Sequence, residues 1–409
     1  MTGPAGATAE ARHGPLAGIR VIDVGWFLAG PVTATILAEF GADVIKVERP
    51  GSGDALRHLG WTLDGDSLWW SVEGRNKRSI TLNLSDRRGQ ALLTRLLDSA
   101  DVLVENFTPG TLEAWGLSVD GLSERCPRLI VLRTSGFGQT GPYAQLAALN
   151  TAVESLGGLR YIMGEPDRPP ARPGIALGDY TGALIGAIGV LVALYERDAA
   201  GSGKGQWIDN ALHEAVLRLT EYTIPGYQHL GRVRERVGGG SVGTVPARAF
   251  QCRDKVWVGI SAASDAMFGR LAEVMGHREW ADDERFRTNG DRIQHRDELH
   301  RLIEGWCASR DSAEVARLLQ AAEVSAFEVM SADRLIEDPH VRARHSLVEV
   351  DDPVLGRTLM QGVAPTLSRT PGAIRHAGPV LGSSNQEVYS GELGLSGEEL
   401  VELRQAGVI

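Results

Sequence analysis

The sequence predicts an α/β protein with a doubly wound, parallel-sheet large domain of Rossmann-like type and a smaller inserted α+β domain. One observation is the alternation that begins at Gly18, where short β-branched runs ("GIRVIDVG", "DVIKVERP") flank a helical pattern ("PVTATILAEFGA"). Strands apolar on both faces belong in a sheet covered by helices on both sides. A second is size: 409 residues, 43% of them hydrophobic, exceed one ordinary core and suggest two domains. A third is the change of style around "RVRERVGGGSVGTVPARAF", where glycines cluster ahead of a new strand and charged helices. The expected division is a mobile tail over 1–14, a large domain over 15–225 and 330–409, and a small domain over 226–329.

The elements follow in order. In the first helix Val32, Ile36, Leu37 and Phe40 share one face. The large domain continues with the strand "RSITLNL", the helix "SDRRGQALLTRLLDSA", the strands "DVLVENF" and "RLIVLRTS", and a helical pattern in "LAALNTAVESL". A Pro-rich loop, "GEPDRPPARPG", precedes the most apolar stretch, "GALIGAIGVLVALY" at 182–195. That run is shorter than the ~20 residues that span a bilayer, so a buried helix is expected and no membrane association. The loop "GSGKGQ", the strand "WIDNAL" and another helix close this part. The small domain holds the strand "KVWVGIS" and amphipathic helices to about residue 325. Beyond it, "SADRLIEDPHVRAR", possible strands "LVEV" and "TLMQGV", and the helix "SGEELVELRQAG" end the chain.

A formal charge of -10 without a basic arm argues against nucleic acid as a partner. Cys126, Cys252 and Cys307 are odd in number and form no C-x-x-C pair, which fits a reducing, cytoplasmic setting. The histidine pairs His295/His300 and His340/His345 lack metal-ligand spacing, so no metal is assigned. The start, "MTGPAGATAEARHG", has no apolar core of a signal peptide.

Three segments invite a phosphate-loop reading. "GSGKGQ" fails as a Walker loop because Gly205 follows Lys204 where Ser or Thr is needed. The first turn, "GWFLAGP", has Trp26, Phe27 and Leu28 between its glycines, too bulky for backbone to close on a pyrophosphate. "GFGQTG" at 136–141 spells G-x-G-x-x-G, but Pro142 removes an amide that would hold an anion, which weakens an NAD-dependent reading. A serine hydrolase is unsupported, since Arg133 stands where the elbow before Ser135 needs glycine. Asp179 opens the apolar helix. On sequence physics alone it is a helix cap stabilised by the dipole, and the same placement suits a carboxylate nucleophile at the edge of a dry cleft. Arg49, Arg57, Lys77 and Arg78 gather positive charge near strand ends, as a solvated face or a phosphate site would.

Taken in order, "PLAGIRVIDVG", "AGP", "GADVIKVERPGSGD", "NKRSITLNL", "DVLVENFTPG", "SGFGQTGPYA", "GDYTGALIGAIGVLVALYER", "GSGKGQWIDNALHEAVL" and "EDPHVRAR" resemble the type III CoA-transferase family, the group of formyl-CoA and carnitine CoA-transferases. The resemblance implies that Asp179 is the catalytic aspartate, passing through an anhydride and an aspartyl-CoA thioester, with no ATP, metal or permanently bound cofactor. It implies CoA contacts at Ala29, Arg49, Lys77, Arg78, Leu82, Asn106 and Phe107. It implies a substrate pocket of Trp26, Phe27, Asn150 and a glycine loop at Gly238, Gly239 and Gly240. Acyl-CoA and a carboxylic acid are the implied substrates, and an interlocked homodimer the implied assembly. Thr108 and Ala114 depart from the pattern, occupying a segment where relatives commonly carry basic residues. Leu149 stands where a sister activity, α-methylacyl-CoA racemase, has its histidine. A racemase, and an acyl-CoA-binding protein in which Asp179 only caps a helix, are the alternative readings.

Overall fold

The structure is a computed structural model that describes residues 14–409. The tail expected over 1–14 lies outside the described residues except for Gly14. The chain divides into two compact units, one made of the segments up to Leu159, Pro173–Glu221 and His340–Ile409, the other of Arg160–Arg172 and Tyr222–Pro339. The second unit therefore takes the Pro-rich loop as far as Arg172, which the sequence reading gave to the large domain, and runs over Tyr222–Pro339 where 226–329 was expected.

The first unit is built on a six-stranded parallel sheet. Its strands are β1 (Arg20–Asp23), β2 (Asp43–Glu48), β3 (Lys77–Thr81), β4 (Val102–Glu105), β5 (Ile130–Ser135) and β6 (Trp207–Ala211). They lie in the order β3-β2-β1-β4-β5-β6, with Val21 beside Val44 and Ile22 beside Leu103. The helices that matter to the site are α1 (Ala29–Glu39), α2 (Leu68–Glu73), α3 (Arg87–Leu97), α4 (Asn150–Leu156), α5 (Leu177–Asp198) and α6 (Leu212–Arg218).

Alternation along the strands explains the layers, because successive side chains point to opposite faces. Ile22, Ile45, Leu103 and Val131 pack with Leu93, Leu96 and Leu97 of α3 and with Val388, Tyr389 and Leu400 of the returning C-terminal segment. Val21, Val44, Val102 and Leu132 face the other way, onto Leu37 and Ala38 of α1 and Val190 and Leu194 of α5. The strand order reverses between β1 and β4, and ligands of such sheets bind outside the carboxyl ends of the strands at that reversal.

The helix α5 is longer than the apolar run predicted, and long and apolar enough by composition to cross a membrane. It packs instead on α1, β5, β6 and α6. The expectation of a buried helix holds for one side only. Leu184, Ile188, Val192 and Tyr195 are 56%, 56%, 61% and 70% exposed in the single chain.

The second unit is α+β. Its antiparallel sheet joins β7 (Ala247–Gln251), β8 (Trp257–Ser261) and β9 (Ser325–Glu328) in the order β9-β8-β7. Phe268, Phe286, Leu299, Ile303 and Leu319 fill its core.

Candidate active site

Asp179 is the third residue of α5 and is 7% exposed. Helix starts leave backbone amides without intrahelical acceptors, which a side-chain cap usually satisfies. Here the cap position is Ala176, which has no side-chain oxygen, so Asp179 is not the N-cap that the simplest sequence reading makes it. The Asp179 amide donates instead to Asn150 Oδ1 at 3.3 Å. Asn150 is held in turn, its Nδ2 donating to Glu154 Oε1 at 2.7 Å, and Glu154 is fully buried. Gly178 allows this approach, since a Cβ there would lie 2.7 Å from Asn150 Oδ1.

The β1–α1 turn sits at the sheet's reversal and is fixed from three sides. The Trp26 amide donates to Asn106 Oδ1, and Asn106 Nδ2 donates back to the Trp26 carbonyl, both at 2.7 Å. The Phe27 amide donates to the Asp54 carboxylate at 3.1 Å. Lys46 Nζ donates to the Gly25 carbonyl. Phe27 is held at a φ of 68°, a left-handed conformation that costs a bulky residue about 1–2 kcal/mol and persists only where surrounding bonds impose it.

Beneath this turn lies a buried network of matched charge. Lys46 pairs with Asp54 at 3.1 Å and Asp23 at 3.6 Å, Lys77 pairs with Asp23 at 3.0 Å, and Arg57 grips Glu48 at 2.7 and 2.8 Å. Three cations face three carboxylates, as buried charge requires. Burial pushes Lys77 down, and Asp23 offsets only part of this. Burial also disfavours the charged form of Lys46, but Asp23, Asp54 and Glu48 together raise it. Burial pushes Glu48 up, and the Arg57 hydrogen bonds and charge overcome that and hold it low.

Three of the residues expected to contact CoA have side chains engaged within the protein. Lys77 is fully buried and committed to Asp23 and the Pro31 carbonyl. Arg78 is nearly covered and bonded to Asp43, Glu387 and Glu392. Leu82 is core, 2% exposed. Of the cations that the resemblance nominated, Arg49 remains exposed, stacked over the Trp26 ring at 5.7 Å. Ala29 is buried at the start of α1, Asn106 is occupied with the Trp26 backbone, and Phe107 packs edge-on to Trp115 at 5.1 Å. Gly238, Gly239 and Gly240 belong to the second unit, where the Gly238 amide donates to the Gly164 carbonyl.

The G-x-G-x-x-G turn is filled by the protein itself. The Gln139 amide donates to both oxygens of Asp209, at 3.1 and 3.0 Å, so a carboxylate already takes the group that an anionic cofactor would need. A cavity of about 230 Å³ lined by Arg57, His58, Trp70, Ser71 and Asp352 does not include Asp179, so the candidate site is chosen by chemistry and not by cavity size.

Sequence reasoning missed Lys46, Asp54, Trp69, Glu73 and Tyr180. Asp54 alone had a local signal, since an Asp before a helical turn is a common cap, and it does accept the Leu56 amide.

Comparison with known proteins gives concordant results. The model of "CoA-transferase family III" matches residues 16–385. A succinyl-CoA–D-citramalate CoA-transferase of Chloroflexus aurantiacus is 44% identical over 97% of this chain and 98% of its own length. The beta subunit of a succinyl-CoA–L-malate CoA-transferase from the same organism is also 44% identical, with the same two coverages. A formyl-CoA:oxalate CoA-transferase of Streptomyces avermitilis is 35% identical over 96% of this chain and 99% of its own. Among solved structures, a CAIB/BAIF family protein from Brucella suis superposes with a TM-score of 0.81 at 30% identity, covering 93% of this chain and 99% of that one.

Proposed function

The chain belongs to CoA-transferase family III and is a CoA-transferase, and from that premise we propose that it moves CoA between two carboxylic acids through covalent intermediates on Asp179. The Asp179 carboxylate attacks the carbonyl carbon of an acyl-CoA, the C–S bond breaks, and a mixed anhydride and CoA thiolate result. The thiolate attacks the Asp179 carbonyl of the anhydride, releasing the first acid and leaving an aspartyl-CoA thioester. The acceptor carboxylate attacks that thioester and regenerates an anhydride and the thiolate. The thiolate then attacks the acceptor's carbonyl, which departs as the new acyl-CoA and frees Asp179. Each step exchanges one activated acyl bond for another, so the chemistry is sustained without an external energy source.

The observation that carries this reading is the placement of Asp179: a nearly buried carboxylate at the third position of α5, inside the first turn and not at the cap position Ala176. Low water access suits intermediates that hydrolyse readily. The relatives named for succinyl-CoA with citramalate or malate suggest the substrate class, a dicarboxylic acyl-CoA donor and a short hydroxydicarboxylic acceptor. Arg49 over Trp26 is suited to a CoA phosphate. The open apolar side of α5 fits a homodimer in which a second copy covers it.

The test is exchange between succinyl-CoA and a panel of mono-, di- and hydroxydicarboxylates, followed by mass spectrometry. The account expects transfer to malate or citramalate and none in Asp179→Ala. Transfer that survives in Asp179→Ala would remove the proposed nucleophile.

A further inference from the structure

Ala176 supplies no side-chain cap to α5, and hydrogen bonds from other elements reach the first turn of the helix. Asn150 gives one tether, through the Asp179 amide. A second begins one residue further on. The Tyr180 hydroxyl donates to Glu73 Oε1 at 2.8 Å and accepts from Trp69 Nε1 at 3.0 Å. Both partners lie on α2, which is itself tied down. Thr35 of α1 donates to the Glu73 carbonyl at 2.6 Å, Ser67 caps the helix, and Trp70 donates to the Pro379 carbonyl at 3.0 Å while Arg57 stacks on its ring at 3.8 Å. The same Trp69 ring meets Phe27 edge-on at 6.0 Å, which links the strained β1–α1 turn to the same anchor.

We propose that Tyr180 is a positioning residue for the reaction at Asp179, its phenol fixing the first turn of α5 to α2 through Glu73 and Trp69. The inference rests on the reading of Asp179 as nucleophile. Burial raises the Tyr180 phenol well above its ordinary range, with the Glu73 charge adding to the effect, so it stays protonated and remains the donor in this pair. The geometry implies a division of labour. The Tyr180 hydroxyl is committed to Glu73 and Trp69, so its loss is expected to act on the chemical step, where a displacement of about 1 Å costs on the order of 10²-fold.

The experiment compares Tyr180→Phe, Glu73→Leu, Glu73→Gln and the Tyr180→Phe/Glu73→Leu double variant, in the full chain, by kcat and KM for succinyl-CoA and by thermal melting. Tyr180→Phe is expected to lose about 10- to 100-fold in kcat with KM within about twofold of wild type. Glu73→Leu should match it, Glu73→Gln should lose less because its amide oxygen still accepts the phenol, and the double variant should be no worse than the poorer single one. A Tyr180→Phe enzyme with wild-type kcat, a loss carried in KM, or a double variant whose loss is the product of the singles would overturn the inference. A wild-type chain that transfers no CoA would instead sink the reading of the site, and this inference with it.

Discussion

Gly178→Ala offers a sharp test of how α5 is held. Helix propensity alone predicts a gain of about 1 kcal/mol for Ala over Gly. The structure predicts the opposite, because the added Cβ would stand 2.7 Å from Asn150 Oδ1, 3.2 Å from Val153 Cγ1 and 3.4 Å from Val216 Cγ2. Asn150 cannot swing aside freely, since Glu154 holds its amide within the core. Overpacking of this kind costs about 1–3 kcal/mol, and loss of the Asp179 amide bond adds about 1 kcal/mol. Net of propensity, stability should fall by about 1–3 kcal/mol, and kcat by about 10- to 100-fold as Asp179 shifts. Gly189→Ala in the same helix is the control: its Cβ would meet only Ile208 carbons at 3.4 and 3.7 Å, an ordinary contact, so the propensity gain should survive. Thermal melts and exchange rates of the two variants decide the matter. If Gly178→Ala is as stable and active as Gly189→Ala, the account of the helix start is wrong.

Three further outcomes follow from the buried charges. Lys77→Met should cost about 3–5 kcal/mol, because it leaves Asp23 short of a partner, while KM for acyl-CoA measured below the melting transition stays near wild type; a tenfold rise in KM without loss of stability would restore the phosphate role first expected of it. Burial raises Glu73, with the Tyr180 hydrogen bond and the Arg75 and Lys77 charges offsetting only part, so its contribution is favourable when protonated and is lost as pH rises from the ordinary carboxylate range through the raised value. Glu73→Gln should therefore raise the melting temperature at neutral pH, with the gain shrinking in acid; a gain that grows in acid would contradict this sign. Burial, with Arg248 and Arg296 nearby, lowers His300 to about 4, so the stability it confers is present above its ordinary range and is lost as pH falls from about 6.5 toward 4. His300→Phe should flatten that acid limb in a melt series, and an unchanged limb would place the proton uptake elsewhere.

The layers of the fold were legible because they are written locally. The two-residue alternation of Val21 and Ile22, repeated at Val44 and Ile45 and at Val102 and Leu103, specifies both faces of the sheet within a few positions. Candidate site residues were nominated only where a motif carried them, as with Asp179 and the aromatic turn at Trp26 and Phe27. Lys77 and Arg78 look like phosphate ligands in sequence, yet their partners Asp23 and Glu387 are 54 and 309 residues away. Trp69 and Tyr180 are 111 residues apart, and neither segment has a pattern that announces the pair. Local periodicity encodes burial, and long-range pairing of charges and hydrogen bonds is settled only when the chain closes.

The most direct measurement is the mass of the peptide containing Asp179 after the wild-type protein is incubated with succinyl-CoA and quenched with hydroxylamine. The account predicts a hydroxamate on that side chain, formed only when acyl-CoA is present. An unmodified Asp179 in an enzyme that is actively transferring CoA would contradict it.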